Sequence, residues 1–75
     1  MTNTTLLRQK IDESGLKMQY IAEKLGMTPQ GLYKKLKDES DWFFSQVMIL
    51  KDLLHLSEED VNKIFFALNV DFQPT

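Results

Sequence analysis

The sequence predicts an all-α fold, a compact five-helix bundle that forms a single domain over residues 1–75. Three observations lead to this prediction. Apolar residues recur at spacings of three and four, capping residues and glycines divide the chain into short segments, and the one continuous apolar run, residues 47–50, lies inside a capped helical pattern. With 75 residues and no cysteine, the chain has room for one small core and no disulfide to support it.

The first predicted helix covers residues 4–14. Asn3 or Thr4 can cap its first turn through a side-chain oxygen, and Gly15 can end it in the left-handed conformation. Its apolar face consists of three residues at helical spacing, which are Leu6, Leu7 and Ile11.

The second and third predicted helices, residues 18–25 and 29–37, are separated by only three residues. Gly26 can turn the chain, Thr28 is a good N-cap, and Pro29 costs little at the first helical position. A short turn with glycine between two short helices is the geometry of a helix-turn-helix, so we expect this unit within the bundle. The positions that would hold the two helices at a fixed angle are Ile21, Ala22, Leu25, Met27, Leu32 and Leu36.

The fourth predicted helix covers residues 45–55. Ser45 would cap it, and Phe44 would act as a hydrophobic staple just before the cap. Trp42 would close the core over the third helix. The predicted inward-facing residues of the fourth helix are Val47, Leu50, Leu53 and Leu54.

The fifth predicted helix covers residues 58–67. Ser57 would cap it, and Asp60, three residues later, would complete a capping box. Acidic side chains in its first turn suit the positive end of the helix dipole. Its predicted apolar face consists of Val61, Ile64, Phe65 and Leu68.

The formal net charge of -2 conceals an asymmetry along the chain. Residues 1–37 carry seven basic and three acidic side chains, a net charge of +4, whereas residues 38–75 carry two basic and eight acidic ones, a net charge of -6. Such a division is typical of a protein with an anion-binding half. A chance distribution over a solvated surface is the alternative interpretation.

We expect no enzymatic activity, cofactor or metal site. His55 is the only histidine and has no nucleophile pattern near it, no glycine-rich phosphate motif is present, and residues 38–41 lack the glycine and terminal glutamate of a calcium loop. No apolar run is long enough to span a membrane, and the polar N-terminus is not typical of a signal peptide. The sequence therefore predicts a soluble, cytoplasmic protein without a membrane partner.

Residues 15–36, GLKMQYIAEKLGMTPQGLYKKL, resemble the helix-turn-helix of the Cro and phage-repressor family of transcription regulators. The resemblance lies in the pattern Ile21-Ala22-x-x-Leu25-Gly26-Met27-Thr28, followed by Leu32. The later stretch FSQVMILKDLLHLSEEDVNKIFF is similar to the fourth and fifth helices of small phage and prophage members, so the resemblance covers roughly residues 4–68. It implies a transcription regulator that acts in the cytoplasm of a bacterial host cell.

The resemblance also implies that the third helix enters the major groove of double-stranded operator DNA. Gln30 and Lys34 would read base edges, since glutamine can pair with adenine and lysine can reach guanine. Gly31 and Tyr33 would also face the groove. Because Gly31 costs roughly 1 kcal/mol relative to alanine inside a helix, close approach to a partner is our preferred account of it. The side chains that would contact phosphates are Gln19, Lys17, Lys35 and Lys37.

The chain departs from the family pattern at positions that often bind DNA. Lys17, Met18 and Pro29 stand where relatives often have serine, threonine or glutamine, and Lys35 stands where many have an apolar residue. The alternative function is therefore a small antirepressor or modulator that binds a partner phage repressor and controls the lytic/lysogenic switch. The interface residues predicted for a partner or for a self-dimer are Phe43, Trp42, Glu39, Asp41, Phe66 and Phe72.

Overall fold

A computed structural model describes residues 2–66, and this part of the chain is helical. Helix α1 spans Thr4–Ser14, α2 Met18–Leu25, α3 Pro29–Leu36, α4 Phe44–Leu53 and α5 Glu58–Val61, and a π-helical segment, Asn62–Phe66, continues α5. No strand occurs among residues 2–66. The predicted all-α class and the order of five helices are confirmed.

Local capping explains why α1 and α3 begin where the sequence predicts. Asn3 Oδ1 accepts a hydrogen bond from the Leu6 N–H at 3.1 Å, which caps α1. Gly15 then ends α1 in the left-handed conformation with φ 73°. Thr28 Oγ1 accepts a hydrogen bond from the Gly31 N–H at 3.1 Å and fixes the start of α3.

Helix α3 ends at Leu36, one residue earlier than predicted. Asp38 follows in the left-handed conformation with φ 63°. The Glu39 N–H donates to the Lys34 carbonyl at 3.0 Å, and the Asp38 N–H donates to the Lys35 carbonyl at 3.0 Å. This is a Schellman motif with aspartate in place of the usual glycine. Aspartate tolerates the left-handed conformation better than most residues do.

The predicted start of α4 is wrong. The helix begins at Phe44, and Ser45 lies inside its first turn instead of capping it. The Phe43 N–H donates to Gln46 Oε1 at 2.9 Å, so a glutamine side chain from within the helix fixes the start one residue earlier. Phe44 is 72% exposed and therefore does not act as a hydrophobic staple.

The predicted end of α4 is also wrong, because the helix stops at Leu53 and does not reach residue 55. His55 adopts the left-handed conformation with φ 55°. The Leu56 N–H then donates to the Lys51 carbonyl at 2.9 Å. This turn directs the chain back towards the core, where Leu56 is buried.

The predicted capping box at α5 is confirmed. Ser57 Oγ accepts from the Asp60 N–H at 3.0 Å, and Asp60 Oδ2 accepts from the Ser57 N–H at 3.1 Å. The bond from the Ser57 backbone, helped by Lys10 at 3.7 Å, lowers the pKa of Asp60. Because this pKa is lower in the folded chain, the stability it contributes is present at neutral pH and is lost as the pH falls through the folded value. Leu68 lies outside the described residues.

The core forms where the helices meet. Helix α2 lies against α3 and α4, while α1 lies against α3 and the π-helical segment. Of the predicted inward-facing residues in the described range, Leu53 and Phe65 are only partly buried, as are Leu6 and Met27. The largest fully buried side chains come from four helices and the π-helical segment, and they are Leu7, Ile21, Leu32, Leu50 and Ile64.

Candidate nucleic-acid interface

The connection between α2 and α3 holds the two helices in a fixed relation. Gly26 has φ 74°, a left-handed conformation that glycine adopts without a steric penalty. Its N–H donates to the Glu23 carbonyl at 3.0 Å, and the Met27 N–H donates to the Ala22 carbonyl at 3.0 Å. Ala22 is buried, and its small side chain permits close approach of the neighbouring helices. The start of α3 is therefore set by hydrogen bonds on both sides of the turn.

Helix α3 has one buried face and one exposed face. Leu32 and Leu36, four residues apart, are both buried. The opposite face carries side chains at spacings of three and four that are all exposed, namely Gln30, Tyr33, Lys34 and Lys37. We call these four residues the α3 outer face. Lys17 and Gln19, at the start of α2, are exposed as well.

The first turn of α2 lacks a side-chain cap. Lys17 occupies the N-cap position, and its side chain accepts no hydrogen bond from the helix. The first backbone N–H groups of a helix have no partner within the helix, and together with the helix dipole they attract anions. The exposed Lys17 ammonium adds a positive charge at this end.

Gly31 is not required by the packing of the described residues. A Cβ atom built at this position would lie 3.5 Å from Thr28 Oγ1 and 3.7 Å from Met27 Cβ, which are ordinary contact distances. The glycine also has no left-handed φ angle to maintain. Neither side-chain packing nor backbone conformation in residues 2–66 therefore explains a glycine at position 31.

The Gly31→Ala variant is expected to raise the free energy of unfolding by about 0.5–1 kcal/mol, because alanine is the better helix former and has space here. Urea denaturation followed by circular dichroism measures the change. Gly26→Ala is the matched control and is expected to destabilise by about 1 kcal/mol or more, since Gly26 has φ 74°. A loss of stability in both variants would contradict the assignment of free space at Gly31.

Lys35 differs from the other lysines of α3 because its ammonium is engaged within the chain. It donates a hydrogen bond to the backbone carbonyl of Asp41. It also lies 5.5 Å from the ring centroid of Trp42 and 5.4 Å from that of Phe43, within the range of cation–π attraction. Lys35 therefore connects the end of α3 to the segment that precedes α4.

Lys35→Met is expected to lower the free energy of unfolding by about 1 kcal/mol, since it keeps most of the side-chain stem but removes the charge that the carbonyl and two rings attract. Trp42 is the only tryptophan, so its fluorescence emission should shift towards that of a solvated indole. Lys37→Met is the control, because Lys37 is exposed. Equal effects of the two variants on emission and stability would contradict this role of Lys35.

Trp42 lies between α3 and the end of the described chain. Its ring packs edge-to-face on Phe65, with centroids 5.7 Å apart and an interplanar angle of 73°. The indole Nε1 is buried, and no acceptor for it lies within residues 2–66. Phe44 and Phe66 line the same groove, which has a volume of about 370 Å³.

The remaining predicted interface residues are mostly exposed. Phe43 is 66% exposed although its ring lies near Lys35. Glu39 and Asp41 are exposed, and neither forms an ion pair within residues 2–66. Phe72 lies outside the described residues.

Over residues 2–66, no three histidine, cysteine, aspartate or glutamate side chains are grouped so that they could hold a metal ion. His55 is exposed on the turn after α4. None of the described helices is long and apolar enough to cross a membrane.

Two features of this surface could not be read from the motifs. The Lys35 contact depends on the approach of residues 41–43 to α3, which no local pattern encodes. The outer side of α4 carries Phe44, Met48 and Ile49, all exposed. Exposed Ser45 and Asp52 lie between Met48 and Ile49 around the helix, so the sequence pattern does not mark these apolar residues as one surface.

No protein-family model matches the chain, and neither a curated protein nor a solved structure matches it. The described residues define an all-α domain in which a short turn joins α2 to an α3 with one exposed polar face.

Proposed function

We propose that this chain is a phage or prophage transcriptional regulator of Cro-like type that binds operator DNA through α3. The observation that carries the proposal is the α3 outer face, where four exposed polar or cationic side chains share one side of a helix whose other side is buried. The resemblance of residues 15–36 to the Cro and phage-repressor helix-turn-helix supports it. Such a regulator acts in the cytoplasm of the bacterial host cell.

Base reading is assigned to the first turns of α3. Gln30 lies in the first turn, where a helix that enters the major groove end-on brings its side chains closest to base edges. Its amide can pair with both the N6 amino group and N7 of adenine, and Lys34, one turn later, can donate to O6 and N7 of guanine. Gly31 carries no side chain beside Gln30, which would permit close approach of a base or a sugar. Tyr33 adds an exposed ring and hydroxyl beside Lys34.

Phosphate contacts are assigned to the ends of the two helices. Lys17, Gln19 and the uncapped first turn of α2 provide a cation, an amide and free N–H groups at one end. Lys37 provides a cation after the last turn of α3. These contacts would set position along the duplex, whereas Gln30 and Lys34 would set sequence preference. Lys35 is left out of this set, because its ammonium contacts Asp41, Trp42 and Phe43.

Selection from a pool of random duplexes, followed by titration of the enriched sequence over a range of salt concentrations, tests this function. We expect one sequence family to be enriched. With Lys17 and Lys37 each neutralising one phosphate, and Lys34 adding a third positive charge close to the backbone, the logarithm of the binding constant should fall with a slope of about -2 to -3 per chain against the logarithm of salt concentration. A chain that is folded by circular dichroism but enriches no sequence would exclude sequence-specific DNA binding.

A second function, binding to a partner phage repressor as an antirepressor, is favoured by one observation. Phe43 is 66% exposed and directly follows a segment whose carboxylates Glu39 and Asp41 have no ion-pair partner in residues 2–66. An aromatic ring beside acidic side chains suits the basic DNA-reading surface of another protein. If the folded chain ignores DNA sequence yet prevents a purified phage repressor from binding its operator, this second function replaces the first.

A further inference from the structure

A groove with aromatic walls lies beside the last of the described residues. It has a volume of about 370 Å³, and its apolar walls come from Trp42, Phe44, Val47, Phe65 and Phe66. Phe44 is 72% exposed and Phe66 46% exposed within this part of the chain. A further apolar group that covered these two rings would remove a large apolar area from water, which is favourable.

The indole of Trp42 adds a polar requirement to this groove. Its ring packs against Phe65 and lies 5.5 Å from the Lys35 ammonium, but its buried Nε1 has no acceptor within residues 2–66. A buried N–H group without an acceptor is unfavourable and rare in folded proteins. We therefore expect the acceptor to come from outside residues 2–66.

The sequence that follows Phe66 has a pattern that fits the groove. In residues 67–75, ALNVDFQPT, apolar side chains occupy alternate positions, at Leu68, Val70 and Phe72. Alternate residues of an extended segment share one side, and the residues between them share the other. The carbonyl groups of an extended backbone are not used by hydrogen bonds within the segment, so one of them can accept from an indole N–H.

We propose that residues 67–75 bind in this groove of their own chain, with the apolar side of the pattern against the aromatic walls and a backbone carbonyl as the acceptor for Trp42 Nε1. Because Phe66 lines the groove, the segment begins at its edge, and Phe72 can be up to about 20 Å further along. Covalent attachment gives such a segment an effective concentration on the order of millimolar, which favours it over a separate partner.

Charge determines which side of the segment faces the groove. The exposed Asp41 lines the groove and forms no ion pair within residues 2–66. Asp71 is the only charged side chain of residues 67–75, and in the alternating pattern it shares the polar side with Asn69 and Gln73. Binding through the apolar side keeps Asp71 away from Asp41, whereas binding through the polar side would bring two like charges together.

This inference does not rest on the proposed function. The groove contains no residue of the α3 outer face, and binding of residues 67–75 requires no DNA. It assigns Phe72 to a contact within the chain instead of to a partner or a self-dimer.

Nuclear magnetic resonance of the full chain labelled with nitrogen-15 tests the proposal, because Trp42 is the only tryptophan and gives a single indole N–H signal. We expect hydrogen exchange of this N–H to become at least tenfold faster in Phe72→Ser, and quenching of Trp42 fluorescence by acrylamide to rise at least twofold. Gln73→Ser is the matched control, since Gln73 is the adjacent residue on the polar side; it should change neither. Circular dichroism confirms folding, and Val70→Asn replaces Phe72→Ser if the latter unfolds.

A nitroxide label on Thr75→Cys distinguishes the possible occupants of the groove, since the chain has no other cysteine. The label should broaden the Trp42 indole signal of its own molecule, and Phe72→Ser should reduce this broadening. Broadening found only between differently labelled molecules would assign the groove to a second copy and overturn the proposal. Equal exchange in the wild type and both variants, without broadening, would leave the groove to a separate partner and would overturn it as well.

Discussion

Leu32→Ala is expected to lower the free energy of unfolding by about 2–5 kcal/mol, the range for truncation of a buried leucine. Leu32 is 0% exposed and lies in α3, the helix that contacts both α1 and α2. A domain of 75 residues has a total stability on the order of 4–11 kcal/mol, so this one change removes a large share of it. Urea denaturation followed by circular dichroism measures the loss.

Tyr33→Ala is the matched control for this variant. Tyr33 is the next residue of the same helix and is 43% exposed, so its truncation should cost less than about 1 kcal/mol. Equal losses in the two variants would contradict the division of α3 into a buried face and an outer face. The comparison tests the geometry on which base reading depends, without any assumption about DNA.

Both ends of α1, the end of α2 and the start of α3 were predictable because local groups set them. Asn3, Gly15, Gly26 and Thr28 act within a few residues of their own positions, either through a side-chain oxygen or through a left-handed φ angle. Such signals need no knowledge of the tertiary structure. The stretch from α1 to the start of α3 is therefore the part of the fold that the sequence predicts best.

Both ends of α4 were mispredicted for physical reasons that can be named. Ser45 has the side chain of a good cap, but the Phe43 N–H bonds to Gln46 and starts the helix earlier. At the other end, His55 adopts a left-handed conformation, which is usual for glycine or asparagine and rare for histidine. Burial of Leu56 after the turn offsets the free-energy cost of that conformation. Because this burial depends on the tertiary structure, no local pattern predicts it.

The candidate site was predictable in part. Spacings of three and four between Gln30, Tyr33, Lys34 and Lys37 predict one shared face, and the structure shows all four exposed. The same reasoning could not separate Lys35 from its neighbours, because the contact with the Asp41 carbonyl arises only when the folded chain brings residue 41 to α3. Contact of any of these side chains with DNA remains a prediction.

Gln30→Ala is expected to weaken binding to the preferred operator by about 5- to 150-fold, equivalent to about 1–3 kcal/mol for loss of one bidentate base contact. The preference should relax at one base pair per half-site and stay intact elsewhere. Folding should be unaffected, because Gln30 is exposed. Titration of the wild type and the variant against the preferred duplex and its single-base variants measures both effects.

Gln9→Ala is the matched control, since Gln9 is an exposed glutamine of α1, and its amide donates a hydrogen bond to Glu13 at 3.1 Å. It should leave operator affinity unchanged. A uniform loss across all duplexes in Gln30→Ala would reassign Gln30 to the phosphate contacts, because phosphates carry no sequence information. Full affinity and an unchanged base preference would remove Gln30 from the interface. Base reading would then have to be assigned to other residues of the α3 outer face, beginning with Lys34.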